Sequence, residues 1–204
     1  MARYAPEHKE TTRRRMIDAA GRRFKSDGFD GTGISTLVAD ASLTNGAFYG
    51  HFASKNDLIA SVVAQQLADQ AARVEALPPG LASVEAVVRD YLSPAHRDDV
   101  AGGCPSAALL DEIGRRDDGT RQAYTEGVCR LIDAVARLLA PEDTGDEVAH
   151  ARATGLVNLL VGSLQGARAV SDPGLSDRML ASAHTVAMTI VTAPLRPSSS
   201  QESS

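Results

Sequence analysis

The sequence contains no tryptophan, four tyrosines and four phenylalanines in 204 residues, so aromatics make up only 4% of it. Scarce aromatics beside abundant alanine disfavour a sheet and favour packed helices. Only two cysteines occur, Cys104 and Cys129, and they form no CxxC pair. That excludes a disulfide framework and suits a reducing cytoplasm. The five histidines are scattered without ligand spacing, so no metal site is expected. No nucleophile–base set stands out either, and neither enzymatic activity nor a cofactor is expected. The charged N-terminus lacks a signal-peptide apolar region. The most apolar stretch, residues 153–171, is interrupted by Asn158, Ser163, Gln165 and three glycines. It reads as a buried helix rather than a membrane span, and a cytoplasmic location is expected.

Positive charge is also in short supply, with a net charge of −5, but it is unevenly placed. Residues 1–25 carry eight Lys or Arg against only Glu7, Glu10 and Asp18, whereas residues 61–204 are acid-rich. A basic end on an acidic body keeps nucleic acid open as a partner, because counterion release depends on the surface that faces phosphate.

Helical periodicity accounts for most of the chain. Met16, Ile17, Ala20 and Phe24 mark a first helix from Thr11 to Lys25, closed by Gly28. Its arginines (Arg13, Arg14, Arg15, Arg22 and Arg23) form a basic face, one or two of which are expected near phosphate. Ile34, Leu37, Val38 and Ala41 mark a second helix, capped by Thr32 or Gly33. A turn at Ala41-Ser42-Leu43 leads to a short third helix capped by Thr44, with Phe48 and Phe52 facing inward. Ser54-Lys55-Asn56-Asp57 reads as a capping box that opens a long fourth helix, stopped by Pro78-Pro79-Gly80. Further helices follow: one capped by Ser83, one opening at Pro105, one ending at Pro141, one opening near Asp146 and one after Pro173. The fold class is all-α, a three-helix helix-turn-helix domain over 1–53 and a helical bundle over 54–193, about nine helices in total. A Ser-rich tail over 194–204 is expected to be disordered.

The second and third helices form the layout of a helix-turn-helix that reads duplex DNA. Such a reader needs small or hydrogen-bonding side chains at the helix entry and a hydrophobic back. Thr44, Asn45, Gly46 and Ala47, backed by Phe48, meet that need, with Asn45 suited to adenine and Thr44 or Ala47 to a thymine methyl. Thr32, Tyr49, His51 and Lys55 are expected to contact phosphate, which fixes register without reading sequence.

Residues from about Met16 to Leu58 closely resemble the DNA-binding domain of the tetracycline-repressor (TetR) family of bacterial regulators. The resemblance rests on Gly28-Phe29, Thr32, the Ile34/Leu37/Val38 stripe, the helix Thr44 to Phe52, and Phe52-Ala53-Ser54-Lys55 leading to Leu58. Ser42 departs from it, standing in the turn where the family usually has Gly. The resemblance implies an all-helical homodimer on a palindromic operator, with a variable C-terminal ligand-binding domain whose small-molecule effector usually releases DNA. A repressor is therefore expected. Two alternatives are an architectural DNA-binding protein without effector, and a thiol sensor of oxidants or electrophiles acting through Cys104.

Candidate residues in the C-terminal half are fewer. Cys104, placed before Pro105 at a helix N-terminus, is the sharpest candidate sensor, and Tyr91, His96, Tyr124, Asn158 and Gln165 are possible polar lining groups of an effector site. Cys129 is expected in the core. The helix around 155–169 is apolar on more than one face, and with the last helix it suits a four-helix interface with a symmetry mate. The residues expected there are Gly155, Leu159, Gly162, Gly166, Ala183, Val186 and Ile190.

Overall fold

The computed structural model describes residues 4–142 and 145–193; the expected tail, and Thr144 before the Asp146 cap, lie outside them. Ten helices and no strand occur among the described residues. They are α1 (Tyr4–Asp27), α2 (Ile34–Asp40), α3 (Asn45–Tyr49), α4 (Lys55–Glu75), α5 (Leu81–Tyr91), α6 (Pro94–Asp98), α7 (Pro105–Gly114), α8 (Asp118–Leu139), α9 (Glu147–Ala169) and α10 (Pro173–Thr192).

The count exceeds the expected nine because of α6. Ser93 caps it by accepting the His96 N–H at 3.1 Å, and Pro94 stands at its first position. Five residues with none buried carry no apolar stripe, so periodicity passes over such a helix. Helix α1 also starts earlier than expected, because the polar segment before Thr11 contains helix formers but no stripe to reveal them. Helix α5 starts after Gly80 rather than at Ser83, whose hydroxyl instead donates to Pro78 O at 2.6 Å.

Two apolar clusters divide the molecule. The first gathers Met16, Ile17, Ala20 and Phe24 of α1, Leu37 and Val38 of α2, Phe48 of α3, and Leu58 to Leu67 of α4. All four phenylalanines of the chain (Phe24, Phe29, Phe48 and Phe52) are fully buried in it. The second joins Val74 of α4 with α5, α8, α9 and α10. The expected boundary at 53/54 falls at the cap of α4, and α4 itself serves both clusters. Its Ser54 accepts the Asp57 N–H at 3.1 Å, while the Asp57 carboxylate accepts the Ala53 N–H at 2.9 Å. That is the reciprocal capping expected, shifted by one residue on the return bond.

Cys129 is a correction: it is exposed. On α8 it shares the solvent face with Glu126, Arg130 and Asp133, while the buried stripe runs through Ala134, Val135 and Leu138.

Candidate nucleic-acid interface and cavity

The turn between α2 and α3 sets the reading head. Ser42 holds φ at 54°, the left-handed region, and Leu43 N–H donates to Val38 O at 2.8 Å across the turn. A residue with a Cβ tolerates this conformation at some cost, and glycine would avoid it. Arg15 supports the corner, its Nη2 donating to Ala41 O at 2.8 Å. Thr44 then caps α3, its hydroxyl accepting the Ala47 N–H at 3.3 Å.

These constraints leave Thr44, Asn45 and Gly46 exposed, Ala47 half-buried and Phe48 fully buried. Small and polar groups at the open end of α3, with an aromatic back, are the arrangement a groove reader needs. Tyr49 is 64% exposed and stands edge-on to Phe48, with ring centroids 5.1 Å apart. A largely exposed aromatic beside exposed polar residues suits a partner surface. His51 is half-buried and packs on Phe52, and burial, then the nearby Lys9 and Arg13 charges, hold its pKa below the ordinary value. Lys9, one of the basic residues of the N-terminal end, is exposed and close enough to His51 for its charge to act on the ring. Lys55, half-buried, opens α4 near the Asp30 carboxylate.

Two expectations shift here. Thr32 is 2% exposed, and its hydroxyl is buried without a hydrogen-bond partner. Gly33, not Thr32, caps α2, and the Thr32 side chain stands below the surface that phosphate would touch. The arginines of α1 are mostly engaged within the chain. Arg13 donates to Ser61 at 3.0 Å and lies over the Phe52 ring at 5.1 Å, Arg14 pairs with Asp69, and Arg23 forks onto Asp40 at 2.8 and 3.1 Å. They brace α1 against α2 and α4.

A cavity of about 600 Å³ opens in the C-terminal half, a size in the range of small-molecule sites. Its apolar wall includes Val74, Leu77, Leu131, Val135, Val157 and Leu160, and its polar end holds Gln70, Tyr91, His96, Cys104 and Ser106. Of the expected lining residues, Tyr91, His96 and Cys104 therefore come together. Tyr124 is half-buried against the first cluster, behind Ser106. Asn158 and Gln165 do not line the cavity: Asn158 is exposed and Gln165 lies off the inward face of α9.

The polar end is ordered by His96. Its Nδ1 donates to Tyr91 O at 2.8 Å and its Nε2 accepts the Cys104 N–H at 3.1 Å, which fixes a neutral ring with the proton on Nδ1. Burial holds its pKa below the ordinary value, in keeping with that tautomer. Cys104 is buried and its thiol donates to Gln70 Oε1 at 3.7 Å.

Contacts from the reading head reach this end. Lys25 of α1 donates to Gly103 O at 2.7 Å, and burial lowers its pKa to about 8. At the other end of α7, Glu112 accepts the Phe29 N–H at 2.8 Å, and Arg116 just beyond donates to Asp30 at 2.8 Å and lies over the Phe29 ring at 5.0 Å. Gly28, at φ 76°, permits this approach, because a Cβ there would come within 2.8 Å of Glu112 Oε1.

The outer surface of α9 and α10 differs in part from expectation. Gly155 and Gly162 are exposed with open space before them, Val186 is 48% exposed, and Leu159 and Ile190 are half-buried. Ala183 is a correction, since it is buried in the chain's own core. Gly166 is turned to an internal task, with Met179 Cε of α10 only 2.8 Å from where its Cβ would stand. Helix α9 is apolar inward and carries glycine and Asn158 outward, so it is not uniformly apolar.

Among the described residues there is no cluster of His, Cys, Asp or Glu able to hold a metal ion, and no helix long and apolar enough to cross a membrane.

Comparison with known proteins places these features. A sequence model described as bacterial regulatory proteins, tetR family, matches residues 16–62, and one described as the tetracyclin repressor-like C-terminal domain matches residues 80–183. A helix-turn-helix-type transcriptional regulator of Mycobacterium tuberculosis strain H37Rv is 26% identical over 157 residues, covering 76% of this chain and 81% of the relative. The fold is similar to that of Escherichia coli NemR in its reduced form, with a TM-score of 0.75 at 20% identity, over 91% of this chain and all of that one. It is also similar to a TetR-family regulator of Streptomyces coelicolor, SCO4454, with a TM-score of 0.62 at 25% identity, over 88% of this chain and 95% of that one.

Proposed function

We propose, from the premise that the chain belongs to the TetR family of DNA-binding transcriptional regulators, that it is a cytoplasmic, ligand-responsive repressor. It binds a palindromic operator as a homodimer and leaves it when a small-molecule effector fills the cavity. Asn45, Gly46, Ala47 and Thr44 read base edges, while Tyr49, His51, Lys55 and Lys9 meet phosphate. Gly155, Leu159, Gly162, Val186 and Ile190 form the face on which the second copy packs. Exposed glycines permit close helix approach, and an isologous pairing of α9 and α10 would cover Val186.

The observation that carries this reading is α7. Its first turn, with Cys104 and Ser106, stands at the polar end of the cavity, and Glu112 in its last turn, with Arg116 just beyond, grips the loop before α2. Leu109 and Ile113, between them, belong to the core of the reading head. A helix of this length is stiff and spans about 15 Å, so displacing its first turn displaces its last. Ligand in the cavity therefore acts on the spacing of two heads held in a dimer.

Selection of bound sites from random DNA, repeated with candidate small molecules, tests the whole reading. A palindromic consensus with affinity lowered by at least one ligand is expected. A loose, ligand-blind preference would support an architectural protein instead, and no binding at low salt would overturn the DNA assignment. Release by oxidants that Cys104→Ser abolishes would support the thiol reading.

A further inference from the structure

The polar end of the cavity holds a buried hydrogen-bond donor left without a partner and the first turn of a helix. The Cys104 side chain makes no capping bond to the N–H groups of α7, and Pro105 at the first position has no N–H. The N–H groups of the next residues, Ser106 and Ala107, are first-turn donors that a helix cannot satisfy internally. Both residues are buried, which leaves the cavity as the side from which these groups can be reached. Ser106 lines the cavity.

Independent of the helix end, the Tyr91 hydroxyl is buried without a hydrogen-bond partner, beside Cys104. Burial, then the neighbouring sulfur, raises the phenol's pKa well above its ordinary value, so it stays a donor. Arg168 holds Arg97 O at 3.0 Å and His96 O at 2.8 Å, which leaves its Nη1 buried and unpaired. Lys25 adds a second cation behind the Gly102-Gly103 wall. Asp99 is exposed at the rim, its Oδ1 occupied by the Gly102 N–H at 2.8 Å. The unpaired Tyr91 hydroxyl and the first turn of α7 thus stand at the polar end of the cavity, with the Arg168 and Lys25 cations behind it and the Asp90 and Asp99 carboxylates exposed at its rim. Leaving donors unsatisfied is unfavourable, and an anionic oxygen would relieve several at once.

We infer that this end is a carboxylate seat, and that the effector class is an apolar monocarboxylate whose head lies against the Tyr91 hydroxyl and the first turn of α7 and whose tail runs along the valine- and leucine-lined wall. Two carboxylate oxygens suit the hydroxyl and the first-turn amides, and the cations behind compensate the charge. The inference rests on the reading of the cavity as the effector site.

Calorimetry on the full chain with decanoate, decanamide and decan-1-ol tests it, alongside operator binding by fluorescence anisotropy. Decanoate is expected to bind about tenfold more tightly than either neutral analogue, the size of one or two charge-assisted hydrogen bonds. Tyr91→Phe should remove most of that preference while leaving the helical circular dichroism unchanged. A second variant, Cys104→Asp, places a carboxylate at the α7 cap itself. It is expected to raise the melting temperature and to abolish selective decanoate binding, because the seat is then filled from within. Equal affinity for the three probes, no measurable decanoate binding, or a folded Cys104→Asp protein that still prefers decanoate would overturn the seat. The effector reading fails separately, if a probe that calorimetry shows bound leaves operator affinity unchanged.

Discussion

Lys25 joins the reading head to the cavity wall, and its charge makes that joint measurable. Buried and bonded to Gly103 O at 2.7 Å, it has a pKa lowered from 10.5 to about 8, first by desolvation. The protonated amine is thus less favourable in the folded chain than in the unfolded one. Below pH 8 the folded state carries the whole penalty. Between about pH 8 and 10.5 the folded state releases its proton while the unfolded state still holds one, so stability from this group rises with pH across that window. At full weight the change in pKa corresponds to about 3.4 kcal/mol. Lys25 also borders a cleft of about 280 Å³ that admits water, so solvent screening reduces the contribution to roughly half. Lys25→Met removes the titration and the hydrogen bond together. The expected result is that wild type gains about 1–2 kcal/mol on the variant between pH 7.5 and pH 10.5, from urea unfolding followed by circular dichroism. A stability difference that stays constant across that range would refute the assignment of a buried, destabilised ammonium at this joint.

Three further outcomes are expected. Asn45→Ala should relax base preference at one position of each half-site by about 1–3 kcal/mol, whereas Lys55→Ala should weaken all sequences alike and reduce the salt slope by about one; binding measured against a randomised operator at several salt concentrations separates them. Ser42→Gly should stabilise the chain by about 0.5 kcal/mol, the relief of a left-handed serine less the added freedom of the unfolded glycine, and a lower denaturation midpoint would contradict that balance. Glu112→Ala strands the Phe29 N–H and should cost about 1–2 kcal/mol of stability while lowering operator affinity without altering the selected consensus; an altered consensus would mean that Glu112 acts on base reading directly.

The legible parts of this molecule are those whose cause is local. The apolar stripe of α2, the Thr44 cap and the inward Phe48 and Phe52 follow from spacing within a few residues, and so the helix-turn-helix is recognisable from sequence. The Ser42 turn was legible in the same way, since its departure from glycine marks the one non-glycine residue with positive φ among those described. What escaped was decided by packing between distant segments. Thr32 is polar and suitably placed in sequence, but it is buried to 2% exposure, which no local pattern announces. Asn158 and Ala183 exchanged expected sides because the registers of α9 and α10 against the bundle, not their composition, fix which face is inward. The coupling through α7 is the extreme case. Lys25 to Gly103, Phe29 to Glu112 and Asp30 to Arg116 join residues 78, 83 and 86 positions apart. No window of sequence contains both partners of any of these pairs. Yet each uses a residue that looks unremarkable alone: a lysine at a helix end, a glutamate in an amphipathic helix, an arginine after it. The α7 segment therefore carries two kinds of information. Its cysteine and proline announce a helix end, and its later charges acquire meaning only once the fold brings the loop after α1 against them, which is why the helix-turn-helix was visible in the sequence and the contacts that tie it to the cavity wall were not.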